Sequence, residues 1–453
     1  MLMNTKNITY RLIAAAVTAA ILWSCTGLDI DFNLQPATGN TEQPADRLAN
    51  KDFRKVFIVY MMGFNNLSQY LAEDTEDLIN SKLMSNPRDA LIIFSHRARV
   101  SSGSLMYSEP TSPIVTQIYK SEEGKVVRDT LWVMPDTYRS SDASTMNEVL
   151  TFIKERFDAD SYGMLMSSHG TGWMPENYCN NPEKFDNSNN SNIWGVRQRH
   201  IATPKPFLEN LAVDSLPAVK SIGVQNISKS EVTEMDITDI ASAIPMKMEF
   251  IIFDACFMGG VEVAYQFKDI CDKVVFSQTE IMADGMDYKT MCSYIFTGIR
   301  SDLEGFCQNY YEFYNRRSGS SQSATISLID CIELDQLAEA CKEIFESNRS
   351  GIKALEGSSK VQKYYRDSYA RYHKWFFDLY DIADKSGATA QQLTRLREAL
   401  DRCVIYKATT NRFIDRHIEI HSGFSMYLPY KNLDYLNGFY KTLEWNKATG
   451  LVQ

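Results

Sequence analysis

The sequence has no long basic run. Nucleic-acid phosphates are bound by clustered Lys and Arg, and this 453-residue chain, with a formal charge of -10, carries no such cluster. Nucleic acid is therefore excluded as its main partner, and there is no polyanionic tail either. The sequence also lacks CxxC spacing. Its cysteines stand at positions 25, 179, 256, 271, 292, 307, 331, 341 and 403, which fits neither a zinc ribbon nor a dense disulfide scaffold. Most of them read as small buried hydrophobes. EF-hand spacing is absent, and no internal repeat is evident. What is present is ordinary: 44% apolar and 23% charged residues, the composition of a soluble globular protein too long for a single small core.

The N-terminal stretch is of a different kind. Lys6 and Arg11 precede LIAAAVTAAILWS, an apolar run of 13 residues from 12 to 24. That is too short to span a bilayer but suits the apolar region of a secretory signal. The run ends at Leu22-Trp23-Ser24-Cys25, which resembles a bacterial lipobox. The resemblance implies a lipoprotein signal peptide over residues 1–24, lipidation of Cys25, and a place in the bacterial cell envelope, periplasmic or surface-exposed, with the membrane as a partner through the lipid. Residues 25–50 are polar, contain Pro36 and Pro44 and lack periodicity, the signature of a flexible tether.

From Val56 onward short apolar runs alternate with amphipathic segments. VFIVYMMG, ALIIFSHR, YGMLMSSHG, MEFIIFDACFMGG and KVVFSQTE read as strands; LSQYLAEDTEDLINSKL, STMNEVLTFIKERF, MDITDIASAI and VEVAYQFK read as helices. Apolar strands joined by crossover helices predict an α/β sandwich with a mostly parallel central sheet. Residues 51–300 form the expected core. Within it, residues 174–232 are rich in Asn, Pro and Ser, too long for an ordinary connector, and are expected to be a functional loop or processing linker. Residues 301–453 read as a mixed, largely helical subdomain packed on the core. CQNYYEFYNRR, LDQLAEACKEIFESN, SSKVQKYYRDSYARYHKWFFDLYDIAD and TAQQLTRLREALDRCV are its expected helices, ATISLID and SGFSMYLPY its expected strands. The aromatic cluster around residue 375 has helical spacing and is expected to be core.

In an open α/β sheet, functional side chains gather at the carboxyl ends of the strands. Two strands end on reactive residues: MLMSSHG ends at His169 and FIIFDAC at Cys256. Consecutive units usually place their strands side by side, so imidazole and thiol would face one crevice, where the histidine can activate the thiol as a nucleophile. The backbone N–H groups of Gly170 and Cys256 are expected to stabilise an oxyanion, the bare α-carbon of Gly170 leaving the main chain open to substrate.

Together, HGTGW (169–173) and DACFMGGVEVAY (254–265) resemble the paired motifs of the clostripain family of cysteine peptidases, in the caspase-like clan. FSQTEIMADGMDY (276–288) and SGFSMYLP (422–429) resemble further segments of that family, so the resemblance covers most of the chain after residue 50. It implies a caspase-like three-layer sandwich, His169 as general base and acid, and Cys256 as nucleophile. It also implies Asp254 and Asp284 in a pocket that receives an Arg or Lys side chain of a protein or peptide substrate. Two carboxylates in a partly dry pocket favour a basic side chain, because an unpaired buried charge is costly. Family members are often zymogens cut after a basic residue between the catalytic strands, and Lys184, Arg197, Arg199, Lys205, Lys220 and Lys229 are candidates here. No cofactor is required by this reading, although calcium is used by some relatives and the acidic loops permit it. The alternatives are a non-catalytic surface binding protein that keeps the fold, and a thiol-dependent acyl hydrolase acting on something other than peptides. A last motif, His417-Ile-Glu419-Ile-His421, would share one strand face and could hold a metal, but a solvated strand face explains it as well and is the reading taken.

Overall fold

A computed structural model describes residues 53–64, 67–97, 111–179, 182, 185, 225–228, 231–233, 235–366 and 374–453. All of them lie in one compact unit that runs from Pro44 to Gln453. The expected signal peptide, Cys25, the tether and the six basic residues between 184 and 229 fall outside the described residues.

Nine strands form the central sheet: β1 (Phe53–Gly63), β2 (Asp89–Arg97), β3 (Ile114–Lys120), β4 (Val126–Val133), β5 (Ala159–Ser167), β6 (Met248–Asp254), β7 (Cys271–Phe276), β8 (Thr325–Asp330) and β9 (Val404–Thr409). Their spatial order is β9-β8-β7-β6-β5-β1-β2-β3-β4. The five runs read as strands from the sequence make up the parallel centre, β7-β6-β5-β1-β2. Antiparallel strands β3 and β8 flank it, and the outermost strands again follow the central direction. The result is a mixed α/β fold with a large, mostly parallel sheet.

The parallel centre forms because its strands are apolar on both sides of the pleat. β1 and β2 are buried at nearly every position, not at alternate ones, which requires cover on both faces. That cover comes from two groups of helices. One group contains Ala143–Arg156, Ile237–Ala243, Val261–Phe267, Leu334–Ser347 and Ala390–Cys403; the other contains Ser68–Ile79, Tyr288–Ile295 and Leu303–Asn315. Some of these helices begin on caps legible in the sequence. Asp236 accepts hydrogen bonds from the N–H groups of Thr238 and Asp239, and Thr389 with Gln392 closes a capping box.

The expected boundary near residue 300 does not interrupt the sheet. β8 and β9 come from beyond it and extend the sheet on the β7 side, because the antiparallel β7–β8 pairing buries Leu328 and Ile329 against the same core. The expected helix over 358–384 is reduced to Leu379–Lys385 among the described residues, preceded by the two-residue strand Phe377–Asp378. Trp375, Phe376 and Phe377 are buried, with Trp375 packed edge-on against Tyr427 and Tyr430. The cluster is core, held by ring packing rather than by helical periodicity. SGFSMYLPY likewise contains only a two-residue strand, Ser425–Met426, paired with Phe377–Asp378.

Candidate active site

Register places the two reactive residues. β5 and β6 pair in parallel with Ser167 opposite Asp254, so His169 and Cys256 each lie two residues beyond a matched pair, at the carboxyl end of neighbouring central strands. The glycine after the histidine reports how closely the two ends meet. A Cβ on Gly170 would lie 2.2 Å from the carbonyl oxygen of Cys256 and 2.7 Å from its nitrogen. Backbone atoms cannot yield as the end of a side chain can, so this position admits only glycine. The bare α-carbon thus makes room for the main chain of Cys256, a different reason from the open approach to substrate expected from the sequence. His169 and Cys256 are both buried, at 3% and 2% exposure.

The rest of HGTGW builds the same junction. Gly172 has φ +62°, and a Cβ there would sit 2.7 Å from the carbonyl oxygen of Phe257. Trp173 is fully buried against the rings of Tyr427 and Tyr440. The histidine loop is therefore anchored in the core by its tryptophan and pressed on the cysteine loop by its glycines.

Beyond Cys256 the chain turns sharply. Phe257 adopts φ +58°, a left-handed conformation that costs a non-glycine residue of order 1 kcal/mol or more. It is held there by the bond from its N–H to the carbonyl of Thr279 and by a stacked contact with Phe376 at 4.6 Å. The N–H of Gly259 donates to the carbonyl of Ser277. Residues 277–279 are fixed in turn by Thr325, whose Oγ1 accepts from the N–H groups of Gln278 and Thr279. The loop after β7 is consequently a scaffold for the cysteine.

That loop also reaches the sulfur. The N–H of Ile281 donates to the Cys256 Sγ at 3.2 Å, and the thiol donates in turn to the Ile281 carbonyl at 3.8 Å, so this residue fixes the position of the sulfur. Next to it, Glu280 forms a two-pronged ion pair with Arg366, at 2.6 and 2.7 Å, with both side chains buried. Breaking such a pair by removing one partner leaves an uncompensated buried charge, so Arg366 locks the position of Ile281. Neither residue was legible as part of the site, since a backbone donor leaves no mark on residue type and Arg366 lies 86 positions from its partner in sequence.

The two carboxylates differ in setting. Asp254 is fully buried; its Oδ2 accepts from Ser167 Oγ at 2.8 Å and from Tyr288 OH at 2.6 Å. Asp284 is half-exposed and forms a 2.6 Å ion pair with Arg317. Tyr310 and Tyr314 of the helix Leu303–Asn315 are buried, and Tyr314 OH donates to the carbonyl of Gly285, beside Asp284. Burial raises both phenols well above their ordinary range, with the negative charge of Asp254 adding to the effect on each.

The histidine–glutamate–histidine motif does not form a metal face. Only Arg416–His417 is strand; His417 and Glu419 are solvent-exposed 3.6 Å apart, while His421 Nε2 bonds to Gln278 Oε1 at 2.8 Å. Burial and the charge of Lys407 hold His421 well below the usual imidazole range, hence neutral. Among the described residues no group of three or more His, Cys, Asp and Glu side chains is placed to hold a metal ion. The eight cysteines from 179 onward are buried and none is in a disulfide. No helix among the described residues is long and apolar enough to cross a membrane.

Comparison with known proteins agrees with this architecture. The profile of the Clostripain family matches residues 59–198 and 211–450. Clostripain of Hathewaya histolytica is 22% identical over 435 residues, covering 84% of this chain and 75% of that protein. The crystal structure of an inactive zymogen protease from Parabacteroides distasonis superposes with a TM-score of 0.66 at 25% identity, over 88% of this chain and 99% of the other. A secreted cysteine protease from Bacteroides thetaiotaomicron, iotapain, has the same TM-score at 24% identity, over 88% and 100% of the two chains. The strand-end pairing of a histidine with a cysteine, the matched profile and the shared fold lead to one conclusion: this chain belongs to the clostripain family of cysteine peptidases.

Proposed function

We propose that the chain is an endopeptidase that cleaves after Arg or Lys through a His169–Cys256 dyad. The observation that carries the proposal is the contact between the two strand ends, where the main chain of Gly170 touches that of Cys256. In the acylation step His169 takes the proton from Cys256, and the thiolate adds to the scissile carbonyl carbon. The negative charge that develops on the carbonyl oxygen is met by the N–H groups of Gly170 and Cys256. Collapse of this adduct breaks the C–N bond, and His169 gives its proton to the departing amine. Water, deprotonated by His169, then attacks the thioester carbon; the C–S bond breaks, the Cys256 sulfur takes the proton back from His169, and the product acid releases its remaining proton to solvent as it leaves as a carboxylate. The Ile281 N–H, donated to Sγ, fixes the position of the sulfur.

Specificity follows from charge. Asp254 and Asp284 give the adjoining region two carboxylates, and a lysyl or arginyl side chain offers the matching cation. Cys25 is the proposed lipid attachment site and the envelope the proposed location, in line with the secreted description of the Bacteroides thetaiotaomicron relative. Cleavage after one of the basic residues between 184 and 229 is the proposed activation step, in line with the zymogen description of the Parabacteroides distasonis relative. Fluorogenic peptides ending in Arg, Lys, Asn or Asp, offered to residues 26–453, test the specificity directly. Cleavage of the basic pair alone, abolished in Cys256→Ala, is expected; activity surviving in Cys256→Ala refutes the nucleophile, and cleavage confined to Asn or Asp refutes the acidic pocket.

A further inference from the structure

Arg317, just past the helix Leu303–Asn315, is a cation placed on one of the proposed specificity acids. Its Nη1 donates to Asp284 Oδ2 at 2.6 Å, and its guanidinium lies 4.4 Å from the ring centre of Phe313 and 4.8 Å from that of Tyr314. The same helix carries Tyr310 and Tyr314 toward the catalytic strand. Tyr314 OH donates to the carbonyl of Gly285, next to Asp284. Tyr310 OH is buried and makes no hydrogen bond. The phenol of Tyr310 feels the charges of Asp254, Cys256 and Arg317, and that of Tyr314 feels Asp284, Asp254 and Arg317.

Resting on the reading of Asp284 as a substrate-side-chain acid, we propose that Arg317 is an intramolecular occupant of that pocket, displaced when a lysyl or arginyl side chain binds. The chemistry on both sides is the same. A guanidinium bonded to a carboxylate oxygen and lying over aromatic rings is an arrangement an arginyl substrate would also seek. The internal pair is also weak enough to exchange. Arg317 and Asp284 are 28% and 51% exposed, and ion pairs in such settings contribute little because water screens and competes for both partners. Displacement therefore raises KM without blocking the site. Arg317 sets a threshold: a basic side chain must outcompete it, whereas a neutral side chain gains nothing by doing so.

The test is a double-mutant cycle on the full chain with Arg317→Met, Asp284→Asn and the two combined. The readouts are kcat and KM for matched peptides bearing Lys, Arg or the neutral norleucine before the scissile bond. In Arg317→Met the ratio of KM for the basic peptides to that for norleucine is expected to fall about threefold, equivalent to about 0.6 kcal/mol, with kcat for the basic peptides kept within twofold. In the Asp284→Asn background the same replacement is expected to change nothing. A ratio that rises or stays constant in Arg317→Met overturns the proposal, as does an equal gain in the Asp284→Asn background. If wild type itself shows Cys256-dependent cleavage with no preference for basic peptides, the acidic-pocket reading fails as well; a preserved preference with no Arg317 effect removes Arg317 alone. Circular dichroism and melting temperature of each variant confirm that folded proteins are compared.

Discussion

Replacing Glu262 by Gln should stabilise the protein at alkaline pH and leave it nearly unchanged at acidic pH. Glu262 is the second residue of the helix Val261–Phe267, which follows directly on the Gly-Gly that ends the cysteine loop. It is fully buried. Its Oε1 accepts from the N–H of Tyr427 at 2.8 Å and from Tyr440 OH at 2.7 Å, whereas Oε2 has no hydrogen-bond partner. Burial, offset in part by those two donors, raises the carboxyl from 4.5 to about 7. The sign follows from where the protons sit. Below about pH 4.5 the group is protonated in both folded and unfolded chains and has no effect. Between the two values the unfolded chain ionises while the folded one keeps its proton, so stability falls as pH rises. Above pH 7 the loss is complete, and at about 1.4 kcal/mol per unit it amounts to roughly 3 kcal/mol. The phenol of Tyr440, raised well above its ordinary range by burial and by Glu262, stays protonated throughout and adds no titration of its own. A glutamine oxygen can accept the same two bonds, and its amide cannot ionise. Urea denaturation at pH 5 and pH 8.5 reads the effect. The expected outcome is a gain of about 3 kcal/mol for Glu262→Gln at pH 8.5 and less than about 1 kcal/mol at pH 5. An equal difference at the two pH values, or a less stable variant at pH 8.5, would refute the reasoning.

Three further outcomes follow from the site. Gly170→Ala should reduce kcat/KM by about a hundredfold or more, because the added Cβ must push the Cys256 main chain away and small displacements of a nucleophile are that expensive; near-normal turnover would show that the strand ends are not in close contact. Tyr288→Phe removes one of the two side-chain donors to the buried Asp254 and should lower stability by about 1.5–3 kcal/mol in urea titrations, while Ser293→Ala, on an exposed hydroxyl of the same helix, should cost far less. Brief alkylation at pH 6 should mark Cys256 ahead of Cys271, Cys292, Cys307, Cys341 and Cys403: burial pushes Cys292 up to about 11 and raises the other four as well, so these thiols carry almost no thiolate at that pH. Labelling of any of these five as fast as Cys256, read by peptide mass mapping, would contradict the assignment.

How much of this was legible depends on what each feature leaves in the sequence. The five parallel strands announce themselves as unbroken apolar runs, because a strand covered on both faces has no polar side. The hairpin β3–β4 was missed: VVRDTLWV alternates half-buried with exposed residues, as an edge strand open to solvent does, and its charges hide it. β9 was missed for another reason. Val404 follows directly on the helix ending at Cys403, with no Gly or Pro to mark the change. The aromatic segment near residue 375 has helical spacing by coincidence; ring packing against Tyr427 and Tyr430 decides its conformation. In the site, His169 and Cys256 could be found because side-chain chemistry and strand ends coincide. Ile281, Arg366 and Arg317 could not, since a backbone N–H has no residue signature and the two arginines meet their carboxylates only through the fold. At Gly170 the sequence suggests room for substrate, whereas the space beside its α-carbon is taken by the main chain of Cys256.

The central claim is that His169 and Cys256 act as one catalytic pair on substrates with a basic side chain before the scissile bond. Measuring kcat/KM on a lysyl and an arginyl peptide for wild type, His169→Ala, Cys256→Ala and the double variant tests it most directly. A working pair predicts that each single replacement abolishes nearly all activity and that the double variant is no worse than either. Substantial cleavage remaining in either single variant, or losses that multiply in the double, would contradict it.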